Sequence, residues 1–492
     1  MISSKFHSMS NIYLLVLLFT LITRLVFIIY FPTGGGDWII YSTVAENILS
    51  GCGVSLSSIG SGECEPHFGG NQGPGYPVFV FLSWLIGGHE DVYIRVFQLF
   101  FYISSLLYLV RAIKIYTSSR KVALWVGIIL ALSPLGVAWP RYLQTETLVI
   151  SGTLWVFSEL LLSLHQKKFR TIPIAISLIF TTFIRLDAVL LVAPVVTTLF
   201  IIHRPVDAFK KGLLMAIVFS LPWSAWLTRN YVVGMDSILP SQMALPQNAK
   251  APDGYLKWCK TWTTLEYQRP GSQWPITRFV YDNISIDHGI YATKGEKIKV
   301  EKLIKDLKKY TGKPFPRDID NEFLIIANDR INNNPIDYYL IKPVHRMWSL
   351  WTNIYGSYGW PTELPGYIPD QERLEISRGD ILHKLSFALK YPIIASGKII
   401  VNLWKVILYL LFIVMLFKVF RMYRGTALYP LAILVVNFIV ARSLFSGYAN
   451  FVETRYTVAI IPIMEILVIM FYLRAEYINP RQELRENNII TQ

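Results

Sequence analysis

The chain is 492 residues long, 53% of them hydrophobic and only 16% charged, with a formal net charge of +14. A soluble protein of this length needs many more charged residues to cover its surface. Composition therefore excludes a wholly soluble protein and predicts a polytopic α-helical membrane protein. The basic balance requires no nucleic-acid partner, because an inside–outside asymmetry of the loops accounts for most of it.

A membrane span needs roughly 17–25 mostly apolar residues. Runs near 11–31, 92–115, 121–140, 146–165, 398–420, 426–445 and 456–474 meet that requirement, and shorter or interrupted ones lie near 171–186, 187–203 and 210–229. The run YPVFVFLSWLIGG at 76–88 is too short to cross comfortably and suits an interfacial or re-entrant helix. The basic lead MISSKFHSMS precedes the first span without a small-residue cleavage site, so that span reads as a retained anchor.

Loop charge fixes the expected orientation, since cytoplasmic loops collect Lys and Arg. If 76–88 does not cross and the N-terminus is inside, the inside loops carry Arg111, Lys114, Arg120 and Lys121, then Lys167, Lys168 and Arg170. Arg204, Lys210 and Lys211 follow, then Lys418, Arg421 and Arg424, and finally the tail with Arg474 and Arg481. If 76–88 crossed, nearly all of these would lie outside. About ten spans with both termini cytoplasmic are therefore expected. Three units follow: a membrane module over 1–229 that includes an external loop at 32–90, an extracytoplasmic domain over 230–395 of mixed α/β or mainly α structure, and closing membrane helices with a tail over 396–492.

All three cysteines, Cys52, Cys64 and Cys259, fall on the outside pieces. Disulfides persist in oxidising compartments, so a Cys52–Cys64 bridge in the first loop and two unpaired thiols are both open readings. The stretch EKLIKDLKKY at 301–310 reads as a helix with a solvated charged face. Arg24, Arg95, Glu159, Arg442 and Glu465 lie within or near apolar runs, where charges are costly and usually paired or functional. A local Arg185–Asp187 pair is expected; a structural Arg442–Glu465 pair is an open alternative, since Arg442 lies near the outer end of its span and Glu465 around mid-span. The tryptophans Trp38, Trp84, Trp139, Trp223 and Trp226 suit the interfacial belt.

Two acids then stand out. Asp37, after three glycines, sits at the outer end of the first span, and Glu146 sits at the outer end of a later one. Glycines let a backbone turn tightly and approach a ligand closely. Asp37 falls where a helix begins, so capping and catalysis compete for it. Glu146 has a similar alternative as a first-turn residue favoured by the helix dipole.

The pattern as a whole resembles the GT-C membrane glycosyltransferases, in the group that holds protein O-mannosyltransferases and bacterial aminoarabinose transferases. GGGDWIIYSTVAENILSG is similar to that family's first-loop motif, with Asp37 in the acid position and Tyr41 four residues on. GNQGPGYPVFVFLSWLIGG resembles its Pro-rich second half, with Pro74, Tyr76 and Pro77, and ALSPLGVAWPRYLQTETL resembles the motif that ends in an acid, here Glu146. TTFIRLDAVLLVAPVV, LPWSAWLTRNYVVG and ETRYTVAIIPI resemble further recurrent stretches.

The resemblance implies a polyprenyl-phosphate sugar as donor and an extracytoplasmic protein, lipid or glycan hydroxyl as acceptor. It implies Asp37 as general base in an inverting transfer. Glu146 would orient the acceptor or Asp37, or hold a divalent metal; metal dependence stays open. Three departures concern the charges: Trp38 replaces a second acid, Ile40 a basic residue, and Gln72 and Gly73 stand where others carry Lys. Arg141, Arg229, Arg455 and His67 are the candidates to bind the donor phosphate instead, although Arg141 also suits an interfacial arginine snorkelling to headgroups. Trp38, Tyr41, Gln72 and Tyr76 are the candidate substrate contacts. The composition looks bacterial, which would put the site on the periplasmic or outer face of a cytoplasmic membrane. A transporter or lipid-linked glycan flippase, a glycan polymerase or ligase, and a non-enzymatic scaffold remain as alternatives.

Overall fold

The computed structural model describes residues 2–57, 64–67, 73–234, 249–286, 288–353, 358–361, 381–450 and 452–473. Gln72 and the tail arginines Arg474 and Arg481 lie outside the described residues. Among these residues the chain is helical, and its extended pairing is limited to two isolated bridges.

Among the described residues six helices are long and apolar enough to cross a membrane: Asn11–Tyr30, Asp91–Thr117, Glu146–Gln166, Pro205–Val232, Ile394–Met422 and Leu428–Ala449. Gly75–Gly87, Thr171–Ile184, Leu186–Ile202 and Ile461–Tyr472 are shorter apolar helical segments. In chain order, α1 is Ile2–Tyr30, α2 Trp38–Leu49, α3 Gly75–Gly87, α4 Asp91–Thr117 and α5 Arg120–Leu132. Then come α6 (Glu146–Gln166), α7 (Thr171–Ile184), α8 (Val192–Ile202) and α9 (Pro205–Val232). The short helix α3 matches the run expected not to cross. The expected helix over 121–140, by contrast, ends at Leu132: Pro134 cannot continue it, and the chain turns before a 3-10 helix at Trp139–Arg141.

Helix α6 forms the centre. Its best apolar window is 89% buried, against 6% for α9, so α6 packs on protein along its length while α9 faces outward. Small residues make this possible. A Cβ at Gly152 would stand 2.1 Å from Thr181 Oγ1 on α7, a close approach of the kind that small residues allow between membrane helices. Helices α4 and α7 pack along α6, and α5 sits against α1 and α4.

Residues 249–353 hold α10 (Asp253–Lys260), α11 (Gln268–Ser272), α12 (Trp274–Thr277), α13 (Lys294–Lys308), α14 (Arg317–Asn333) and α15 (Lys342–Thr352). A separate apolar core gathers Tyr255, Trp258, Ile276, Tyr281, Val300 and Phe323. Helix α13 turns Val300 and Leu307 inward, while Glu296 in its first turn is drawn in to accept from Trp258 Nε1 and Arg330. Helix α15 and residues 358–360 pack instead on the membrane helices: Arg346 donates to Gly447 O at 3.0 Å, and Tyr358 lies in the main core. The chain ends in α16 (Ile381–Lys390), α17 (Pro392–Met422), α18 (Leu428–Ala449) and α19 (Ile461–Tyr472).

The embedded charges find partners. Arg24 donates to the Leu130 and Ala131 carbonyls and lies over the Tyr102 ring, and Glu159 pairs with Arg170 and Tyr108. Arg442 does not meet Glu465, the pairing left open by the sequence. It pairs with Asp187, while Glu465 accepts from Ser133 Oγ and Trp404 Nε1. Arg442 faces α8 and the 3-10 turn before it, a neighbour that span order alone does not reveal. Cys52 and Cys64 are joined in a disulfide, and Cys259 is buried as a free thiol.

Candidate active site

The first loop is stitched to the loop between α5 and α6. Thr33 N donates to Arg141 O and Leu143 N to Thr33 O, which forms a short parallel bridge. Arg95 and Gln98 on α4 hold the same segment through the Arg141, Thr33 and Tyr142 carbonyls. Gly35 makes the turn that follows, with φ +82° and a Cβ position 2.4 Å from the Gln144 side chain; an L side chain there would be both strained and blocked. At Gly36 a Cβ would meet nothing within 4 Å, so the backbone beside Asp37 is uncovered.

Asp37 occupies the N-cap position of α2, yet its carboxylate makes no cap hydrogen bond. It faces Arg455, with Oδ2 3.0 Å from Nη1. The same Nη1 stands 3.9 Å from Glu146 Oε1, and Arg455 Nε stands 2.6 Å from Glu453 Oε2. Glu146 also accepts from Arg185 at 3.1 Å; Arg185 reaches Asp187 at 3.0 Å, and Asp187 in turn meets Arg442. Glu453 accepts from Arg269 at 2.5 Å. Four acids and four arginines thus alternate through one network.

Exposure divides it. The side chains of Asp37 and Arg455 are 22% and 27% exposed, and those of Glu146 and Arg185 only 2% each. A ligand can reach the first pair; the second lies beneath it. Charges taken from water need such partners, since a lone buried charge is very costly. Glu146 Oε2 and Arg185 Nη2 are buried without a hydrogen-bond partner among the described residues. Burial by itself disfavours the Arg455 charge, but the neighbouring Glu453, Asp37 and Glu146 carboxylates and Tyr456 outweigh it and hold its pKa well above the ordinary value, so it stays protonated. The arginines in turn hold the Glu453 carboxyl below its usual range despite burial.

The other candidates fall into two groups. Tyr41 and Tyr76 are buried against each other, ring centroids 4.8 Å apart, and Tyr76 donates to Gln98. Burial, then the nearby Asp37 and Glu146 charges, push the Tyr41 phenol well above its ordinary pKa, so it stays neutral. Trp38 packs edge-on to Trp84. Arg141 directs Nε to Gly359 O, Nη1 to Phe31 O and Nη2 to Tyr142 Oη, fastening the loops around the site. Arg229 holds the first loop through the His67 and Val54 carbonyls. His67 is buried beside Arg229, which lowers its pKa to about 4 and leaves it uncharged at neutral pH. Among the cation candidates, Arg455 is the one paired with both acids.

Sequence reasoning did not assign Arg185, Glu453 or Arg269 to the site. The sequence pairs Arg185 only with nearby Asp187, and that pair does form. Glu453 carried a signal, as an acid two residues before Arg455. Among the described residues no cluster of three or more His, Cys, Asp or Glu side chains is arranged to hold a metal ion.

These helices and their buried charge network define a helical, multi-pass integral membrane protein. No protein-family model matches the chain, and no curated protein matches it. Among solved structures it is similar to ArnT from Cupriavidus metallidurans bound to undecaprenyl phosphate, with 14% identity and a TM-score of 0.40 over 92% of this chain and 77% of that one. The apo form of the same protein matches with 12% identity and a TM-score of 0.40, over 93% of this chain and 78% of that one.

Proposed function

We propose that the protein is an integral-membrane glycosyltransferase that moves a sugar from a polyprenyl-phosphate donor to a hydroxyl of an extracytoplasmic acceptor. The observation that carries this reading is the Asp37–Arg455 pair. Here a carboxylate free of capping duty sits beside a guanidinium at an accessible edge, in a loop whose residues resemble the GT-C first-loop motif.

The chemistry follows from those two groups. The acceptor oxygen attacks the anomeric carbon, the bond from that carbon to the phosphate oxygen breaks, and the electron pair leaves on the phosphate. Asp37 takes the hydroxyl proton during attack, which needs a base at about 2.6–3.2 Å. Arg455 offsets the charge that grows on the departing phosphate. Attack from the face opposite the leaving group inverts the anomeric centre. Glu146, beneath the surface, holds Arg455 and Arg185 in place rather than touching the acceptor.

The test is sugar release by the purified protein in nanodiscs, with a panel of labelled polyprenyl-phosphate sugars and no membrane gradient. Turnover of one donor supports transfer. Donor binding with no turnover, whatever acceptor is supplied, supports transport instead.

A further inference from the structure

The tripeptide Glu453–Thr454–Arg455 is gripped from the external segment by two side chains three residues apart. Glu266 accepts from the Thr454 backbone N–H at 3.1 Å and from its hydroxyl at 3.3 Å. Arg269, at the start of α11, donates to Glu453 Oε1 at 2.5 Å, and its Nε donates to Gln273 at 3.0 Å. Asn353 donates to the same Glu266 oxygen, Oε2, at 2.6 Å. Glu453 thus stands between two arginines, and Arg455 between two carboxylates on opposite edges of its guanidinium: Glu453 2.6 Å from Nε in an ion pair without hydrogen-bond alignment, and Asp37 hydrogen-bonded at Nη1.

From this juxtaposition we propose that Arg269, Glu266 and Glu453 are positioning residues for Arg455: they anchor its Nε edge so that its Nη edge can exchange Asp37 for the donor phosphate. The inference rests on the transferase reading. A guanidinium presents a planar fork, and two edges with different partners give it a defined plane. A phosphate that takes Nη1 displaces the Asp37 carboxylate from its counter-ion, so donor binding and release of the base become one event. Without the anchor, Arg455 follows Asp37 or swings away, and the phosphate meets a mobile charge. Arg269 and Glu266 belong to the external segment, whereas Asp37 belongs to the first loop. The grip therefore ties the external segment to the donor site.

The experiment is a double-mutant cycle on the full-length protein in nanodiscs. It reads the Kd for polyprenyl phosphate, kcat and KM for the donor, and the midpoint of thermal unfolding. Arg269→Ala is expected to weaken polyprenyl phosphate binding and lower kcat by roughly tenfold each, with partial recovery in Arg269→Lys. In an Arg455→Ala background the same Arg269→Ala change should add nothing to either loss. Equal losses in both backgrounds, or a lowered unfolding midpoint with binding and kcat unchanged, would show Arg269 to be structural only and overturn the proposal. If Arg455→Ala itself leaves binding and turnover intact, the assignment of the phosphate to Arg455 fails as well, a distinct result.

Discussion

The Asp37 carboxylate and the Arg455 guanidinium meet at 3.0 Å although 418 positions separate them in the chain. Asp37 arrives on a glycine turn stitched to the loop before α6, and Arg455 on a 3-10 turn just before α19. The pair therefore exists only when the first and last parts of the chain are packed together, which makes it a product of the whole fold.

Replacing Arg455 by Lys keeps the charge but loses the fork that serves Asp37 and Glu453 together. Arg and Lys are not equivalent at such sites. The donor KM should rise roughly tenfold, in line with the loss of one oriented charge-assisted hydrogen bond. Steady-state kinetics on the variant reads this directly; an unchanged KM would remove Arg455 from the donor site.

Glu146→Gln breaks a buried pair and leaves Arg185 with Asp187 as its remaining acidic partner. Removing one member of a buried ion pair costs about 3–5 kcal/mol. The thermal unfolding midpoint in detergent should therefore fall markedly. An unchanged midpoint with abolished turnover would instead put Glu146 on the substrate.

The two glycines before Asp37 should separate structure from access. Gly35→Ala forces an L residue into φ +82° against Gln144, so it should lower the unfolding midpoint. Gly36→Val places its side chain in open space, so it should leave the midpoint near wild type while raising the donor or acceptor KM. Matching effects from the two variants would contradict this division.

Two titrations outside the membrane spans set opposing slopes of stability against pH. Burial beside Glu453 pushes the Glu266 carboxyl up to about 7, so the folded state holds its proton more tightly. Its contribution is present below the unfolded value near 4.5 and is lost as pH rises through 7. His67, lowered from 6.5 to about 4, does the reverse: its contribution is present above 6.5 and is lost as pH falls towards 4. Each is worth up to about 3 kcal/mol. Unfolding midpoints across pH 5–7 should rise more steeply with pH in Glu266→Gln and less steeply in His67→Gln than in wild type. Parallel curves would contradict both shifts.

The apolar helices were legible because length and hydropathy of a run are local signals. The apolar runs became helices, and the short run at 76–88 became the short helix α3. Asp37 and Glu146 were legible as acids in polar breaks, and Arg455 as a cation near the start of the last apolar run. Their partners were not. Span adjacency offers Glu465 as a partner for Arg442, yet its neighbour is Asp187, a choice set by how α18 packs against α8. Arg185 looked satisfied by Asp187 two residues away, and nothing in its own stretch pointed to Glu146, 39 positions earlier. The end of α5 at Leu132 was hidden because Leu135, Val137, Ala138 and Trp139 stay apolar, although Pro134 breaks the helix. Local periodicity records which residues avoid water but not which distant charge each one meets.

The most direct test of the account is sugar release from polyprenyl-phosphate donors by wild type and Asp37→Asn, side by side, with unfolding midpoints measured on the same preparations. Loss of a positioned base costs roughly 10²–10⁴-fold, so the variant should bind donor, unfold near the wild-type midpoint and lose turnover by at least that factor. An Asp37→Asn protein that turns over at the wild-type rate would contradict the account at its centre.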